Sequence, residues 1–284
     1  MTDATAGQVR APRRPRRLQA DLSLLLGGAI VVVFLVAALG APLFAAHDPL
    51  ASDWLAVLQP PSDVHPLGTD DLGRDVFSRL LWGAQASLIA GVGAVLIAMS
   101  IGVPLGILAG FSRGWVDIVV SRLTDALLAC PQIMLAIALA MFLGGSLLNA
   151  AVAIGVSTVP VFARLARART IQICAEVYVE AAVSVGIRAP RLLVVHVLPN
   201  LAAPVLVQVS LTMAVAIISE AGLSFLGLSR PLPAPSWGAM LTVGKDFIES
   251  APWLSVWPGL CICLVVVGFN LLGDGIRSRL DPRR

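Results

Sequence analysis

The sequence predicts an all-α integral membrane protein with six membrane-crossing helices, and three observations carry that prediction. The 284 residues are 57% hydrophobic and only 13% charged, with a mean hydropathy of +0.88, whereas soluble domains average about 25% charged and 45–50% apolar. Six segments, 22–46, 84–111, 118–144, 146–167, 200–227 and 253–273, approach or exceed the roughly 20 apolar residues that a spanning helix needs. The basic residues are also segregated. With the basic N-terminus placed in the cytosol, all but four of the 20 fall in cytosolic segments, the exceptions being Arg74, Arg79, Arg230 and Lys245. That asymmetry is the positive-inside pattern, and it puts both termini in the cytoplasm of a cell membrane.

The elements follow in order. Residues 1–21 form a cytosolic tail whose RAPRRPRR run carries Arg13, Arg14, Arg16 and Arg17. Beside a span such a cluster acts as an orientation signal and not as a nucleic-acid arm. The apolar run 22–46 is longer than the 7–15 residues of a signal-peptide core, and more spans follow, so it reads as an uncleaved first span. Residues 47–83 form an outer segment. Within it Val76, Phe77, Leu80 and Leu81 make an apolar stripe and Asp75 and Arg79 an i,i+4 pair, which predicts an amphipathic helix on the outer membrane surface.

A five-helix core, 84–273, comes next. The third span carries Asp117, Arg122 and Asp125 in its first turns, and the spacing of Arg122 and Asp125 lets them pair on one helix face. The fifth carries Glu220 inside ISEAGLSFLG. An intramembrane carboxyl either lines a pathway or bonds between helices, and both readings stand. Residues 228–252, rich in Pro, Ser and Trp, predict an irregular outer loop packed on the bundle, and 274–284 a cytosolic tail.

Catalytic chemistry finds no support. GTDDLGRD at 68–75 has phosphate-loop glycine spacing, but Arg74 and Asp75 stand where the Lys and Ser/Thr should follow. His47, His65 and His196 are far apart in sequence, and no His, Asp or Glu cluster has metal spacing. Cys261 and Cys263 are two apart and would point to different sides of a helix; with Cys130 and Cys174 they make no disulfide frame. The expectation is a non-catalytic subunit with no metal, no cofactor of its own and no nucleic-acid partner.

One stretch fits neither span nor loop. Residues 179–199, VEAAVSVGIRAPRLLVVHVLP, are too charged to cross a bilayer and too apolar for a plain loop. Glu180-Ala181-Ala182, then Gly186, then Leu198-Pro199 resemble the EAA loop of ATP-binding-cassette (ABC) importer permeases. HPLGTDDLGRDVFSRLLWGA, GFSRGWVDIVVSRLTDALLACP, SEAGLSFLG, PSWGAML and PGLCICLVVVGFNLLGDGIRSRLDPR extend the resemblance, over about residues 65–282, to the C-type permease subunit of dipeptide/oligopeptide importers.

The resemblance implies a type I ABC importer permease fold. It implies a B-type permease partner, two cytosolic ATPases that bind the ATP and Mg, and an external solute-binding protein. Within residues 168–199 it makes Tyr178, Glu180, Ala181, Ala182, Gly186, Leu198 and Pro199 the coupling residues that dock on an ATPase, with Gly186 turning the chain between two short helices. Asp70, Asp71, Pro235 and Trp237 are expected at the binding-protein face. Relatives of this type also carry nickel, glutathione or haem, so the solute stays open; a stand-alone secondary carrier is the reading from another class. Ala189-Pro190 departs from the family's usual polar cap, so the second short helix is expected to start with Pro190 at its first position.

Overall fold

A computed structural model describes residues 16–280. The arginines ahead of residue 16, and Arg283 and Arg284, lie outside the described residues. Among the described residues one isolated β-bridge, Thr69 to Asp75, is the sole extended pairing, and the rest is helix and connecting loop. The helices are α1 Arg16–Leu39, α2 Ala41–Phe44, α3 Val76–Ser112, α4 Trp115–Leu128, α5 Gln132–Leu143 and α6 Leu147–Cys174, followed by α7 Val177–Ser184 and α8 Ala189–Leu192. A π-helical turn, Leu193–Val197, joins α8 to α9 Leu198–Phe225, and α10 Trp237–Gly244 and α11 Trp253–Leu280 complete the chain. Five helical stretches are long and apolar enough to cross a membrane, and a sixth is obtained if α4 and α5 count as one bent span.

That bent span corrects the third segment expected from hydropathy. α4 and α5 meet at 90° across Cys130-Pro131. Proline has no N–H to continue a helix and disfavours helical geometry in the residue before it, so an apolar run that looks continuous turns a corner. The anticipated Arg122–Asp125 pair does not form: both residues are exposed, and no ion pair joins them among the described residues. The ion pair here joins Asp117 of α4 to Arg167 of α6, with Arg167 Nη2 donating to Asp117 Oδ2 at 2.8 Å and Nε donating to Oδ1.

The expected surface helix is also corrected. α3 is a single helix of 37 residues, about 55 Å long at 1.5 Å per residue, against a hydrocarbon core of roughly 30 Å. Its first turns are the supposed amphipathic stretch, but Val76, Leu80 and Leu81 are buried in the bundle and do not lie on lipid. Asp75 does not pair with the Arg79 side chain. It is the N-cap of α3, accepting from the Ser78 backbone N–H at 2.8 Å and from Ser78 Oγ at 2.7 Å, which satisfies a helix-end donor that has no intrahelical partner.

The bundle is centred on α3 and α6, and small residues bring them together. Gly102, Gly106 and Gly110 recur every fourth position along α3 and lie against the backbone of α6. A Cβ at Gly106 would sit 2.3 Å from the Ala163 carbonyl oxygen, and one at Gly110 would sit 2.7 Å from that of Arg167. Lipid supplies no hydrophobic drive for helix pairing, so close van der Waals approach through small residues does the work. α1 leans on α11 in the same way through Gly27, Gly268 and Gly275. At one end of this pair Arg279 donates to Asp21 at 2.8 and 3.0 Å, which places the start of α1 beside the end of α11.

The far end of the bundle is closed by a cap built from 45–75 and 227–252. Trp237 is fully buried, donates to the Leu80 carbonyl at 3.1 Å and meets Phe34 edge-on at 5.7 Å. Asp70 organises the segment ahead of α3. It accepts from the backbone of Leu72 and Arg74 at 2.9 Å each, takes Arg74 Nε at 2.7 Å, and lies 3.4 Å from Arg79 Nε. Arg79 donates onward to the Pro49 carbonyl at 2.9 Å and reaches that of Pro233 at 3.4 Å. All three side chains are at most 6% exposed. A charge cluster this dry is held by its mutual hydrogen bonds, since each ion alone would carry a large desolvation penalty.

Candidate coupling site

The stretch after α6 folds as two short helices around a tight turn. α7 ends at Ser184, and Gly186 follows with φ +84°. The Gly186 N–H bonds the Val183 carbonyl at 2.9 Å and the Ile187 N–H bonds that of Ala182 at 3.1 Å. That pair of bonds is the Schellman ending, which needs a left-handed residue and favours glycine there. Ile187 and Ala182 then pack together in a small cluster centred on Val179, Leu192 and Val197, which rests on Ile107 and Phe111 of α3 and Ile173 of α6. The turn is thus glued to the ends of two core helices.

The second short helix differs from expectation. Arg188 is its N-cap, without a side-chain cap bond, Ala189 is its first residue, and Pro190 sits at its second position. The helix does not stop at Pro199 either. It passes through the π turn into α9, making one helix from Ala189 to Phe225. Leu198 N–H bonds Leu193 five residues back; the wider turn lets the helix continue into a proline that has no N–H of its own. Asn200 adds a side-chain bond to the His196 carbonyl at 2.7 Å and donates to the Tyr178 hydroxyl at 3.2 Å. With the Tyr178 and His196 rings 5.9 Å apart, Tyr178 ties the first short helix to the foot of α9.

What remains outward is an apolar surface with charges on it. Val177, Val183, Val185, Val194 and Val195 are each more than half exposed, Val185 reaching 85%. Glu180 and Ala181 are exposed, and Ala182 is half-buried. The Glu180 carboxylate has no bonding partner among the described residues, while its backbone carbonyl accepts from Ser184 Oγ at 2.9 Å. Arg188 and Arg191 are also exposed, as are Leu198 and Pro199. A free carboxylate on an alanine-flanked apolar shelf is suited to docking a protein. Nothing lies within 4 Å of where a Gly186 Cβ would be, so a substitution there acts through backbone conformation alone. Gly186→Val should cost about 1–2 kcal/mol for a left-handed residue and distort the turn, lowering uptake roughly tenfold. Gly186→Asn, which tolerates that conformation, should retain most of it; a solute-uptake assay on both variants checks this.

The other sequence-selected residues lie elsewhere. Glu220 is fully buried near the far end of α9, where it accepts from Ser87 of α3 at 2.8 Å and from Ser229 at 3.1 Å. These bonds link α9 to α3 and to the segment that follows α9. Asp70, Pro235 and Trp237 are buried in the cap, and Asp71 alone of the four is partly exposed. Non-local contacts were the ones not visible in sequence order: Asp117 with Arg167, Ser87 with Ser229 around Glu220, and a group formed by His47, His65 and Asp75 where no metal-like spacing exists.

Comparison with known proteins agrees with this arrangement. A family profile described as "binding-protein-dependent transport system inner membrane component" matches residues 102–284, which include α7 and α8. The chain is 42% identical over 268 residues to the dipeptide transport system permease protein DppC of Alkalihalophilus pseudofirmus, covering 94% of this chain and 88% of that one. It is 40% identical over 291 residues to the probable D,D-dipeptide transport system permease protein DdpC of Escherichia coli, covering 100% and 98%. It is also 40% identical over 278 residues to the glutathione transport system permease protein GsiD of Pectobacterium atrosepticum, covering 97% and 92%. A multi-pass helical bundle with its exposed EAA shelf, matched over most of its length by transport permeases, places the chain in the family of binding-protein-dependent transport system inner membrane components, with the type I ABC importer permease fold.

Proposed function

We propose that this chain is the C-type permease subunit of an ATP-driven bacterial importer of dipeptides or oligopeptides. It forms half of a translocation path with a B-type permease and lies in the cell membrane with both termini in the cytoplasm. One of two ATPases docks on the shelf of α7 and α8, and an external binding protein delivers solute to the opposite end. The observation that carries the reading is the unpartnered Glu180 on its apolar shelf, mounted at the foot of a helix that runs unbroken to Phe225. The dipeptide permeases among the relatives support the solute class.

In this reading the chain performs no bond chemistry. When the ATPases close on ATP they carry the shelf with them. The cluster around Val179, Leu192 and Val197 passes that displacement to α3, α6 and α9. A rigid docking element is needed for this, since a movement can be transmitted only through elements that do not themselves yield. Glutathione is the second reading: it is a small peptide, and a glutathione permease is as similar as one of the dipeptide permeases.

The test is to purify the affinity-tagged chain from its native membrane and identify what accompanies it, then to measure ATP-dependent uptake of labelled dipeptides and of glutathione. Co-purification of two ATPases and a second permease, with uptake of one of these peptides, is the expected result. Uptake by the chain alone in vesicles lacking any ATPase would replace the reading with a secondary carrier.

A further inference from the structure

The cap carries a group of side chains that transport does not use. His47 follows α2, His65 lies in the middle of the connecting segment, and Asp75 caps α3. One ligand atom from each of the three lies within 4.8 Å of the others. His65 Nδ1 is 3.1 Å from Asp75 Oδ1, and His47 Nδ1 is 3.9 Å from Asp75 Oδ2. The two imidazole rings are 4.9 Å apart between centroids and tilted by 38°.

A hydrogen bond between His65 and the capping aspartate accounts for one of these contacts and leaves the other unexplained. His47 Nδ1 is shielded from solvent and has no hydrogen-bond partner, an arrangement that leaves a buried polar atom unsatisfied. At 3.9 Å its separation from the carboxylate is too long for a hydrogen bond. It is close to the spacing of two donors that share a cation, since ligands at 2.0–2.2 Å in a tetrahedral shell are about 3.3–3.6 Å apart. The carboxylate is also held as a metal-binding carboxylate is: Asp75 Oδ2 accepts twice from Ser78, fixing its plane, and Oδ1 is directed at His65. Outer hydrogen bonds of this kind orient ligands and raise affinity. Access exists as well, because His47 stands on the wall of a cleft of about 520 Å³ shared with Asp48, Trp82 and Arg230.

We propose that His47, His65 and Asp75 bind one divalent transition-metal ion of the zinc type, two imidazole nitrogens and one carboxylate oxygen leaving a position open to water. The donor set suits zinc or its neighbours and not magnesium or calcium, which favour all-oxygen shells. The ion would tie the exit of α2 to the N-terminus of α3 across the intervening chain and so brace the cap at the face that meets incoming solute.

The chain has only three histidines, so assignment is direct. Full-length protein carrying a non-histidine affinity tag is purified in detergent, stripped with chelator and titrated with Co²⁺, then with Zn²⁺ in competition. The expected result is one Co²⁺ per chain with the visible absorption of a low-symmetry site, displaced by Zn²⁺. His47→Ala and His65→Ala should each weaken it at least tenfold, and His196→Ala should leave it unchanged. Zinc-edge X-ray absorption on the wild-type chain, which needs no variant to fold, should show two imidazole nitrogens in the shell. Failure of the wild-type chain to bind either ion at micromolar concentration, binding that survives both histidine variants, or a shell of oxygens alone would overturn the proposal.

Discussion

Permease carrying Glu180→Lys is expected to insert and fold normally yet import almost nothing. Glu180 is exposed, makes no side-chain bond among the described residues and sits midway along α7, so none of those contacts is lost when its charge is reversed. Folding should therefore stay within about 0.5 kcal/mol, the range of surface substitutions that touch no special feature. In the proposed coupling role the damage falls on the docking surface. Reversing a charge at a complementary contact costs several kcal/mol, and about 3 kcal/mol is roughly a hundredfold in affinity. Co-purification of the ATPases and ATP-driven uptake should both fall by about that factor, while thermal unfolding of the purified chain does not shift. Normal uptake by the variant would remove Glu180 from the coupling surface. A large drop in unfolding temperature would show that it supports the fold instead.

The second large effect belongs to the opposite end. Asp70→Ala should destabilise the cap by about 3–5 kcal/mol, the penalty for stranding a buried charge. Arg74 and Arg79 are 4% and 2% exposed at their side chains and share Asp70, so its removal leaves two guanidinium groups dry and two backbone N–H groups without an acceptor. Asp70→Asn keeps an acceptor for the Leu72 and Arg74 backbone and should lose less. Limited proteolysis is a suitable measurement, because the Asp70 network closes the segment between α2 and α3. Cleavage between residues 47 and 75 should rise steeply in the alanine variant and modestly in the asparagine one. Unchanged cleavage in both would mean that the arginines are held by other groups.

How far the structure can be read from the sequence depends on the range of the interaction. Hydropathy is local and summed over 20 residues, so the apolar segments and the all-helical class emerge from it. The turn at Gly186 is equally local, because a left-handed position favours one residue type. Breaks and continuities are harder. Cys130-Pro131 bends one apolar run by 90°, whereas Pro199 and Pro204 leave another helix intact; a proline's effect depends on whether a π turn or a neighbouring helix takes up the missing bond. The apolar stripe at Val76, Leu80 and Leu81 has the same periodicity whether it faces lipid or protein, and only the packing of the cap over it decides. Asp70 and Trp237 look like surface polar and aromatic residues in sequence but are interior because chain from 154 or more residues away covers or contacts the same cap. His47, His65 and Asp75 converge through a loop whose path no spacing rule contains.

In the proposed coupling role, the uninterrupted helix from Ala189 to Phe225 would act as a lever with a fixed stroke. Its 37 residues span about 55 Å, so a tilt of about 10° at the docking end sweeps the other end through roughly 10 Å. Two residues of extended peptide measure about 7 Å. Aperture is then a matter of arm length and angle, and a rotation of that size at the base would part Glu220, near the far end of the arm, from Ser87 of α3.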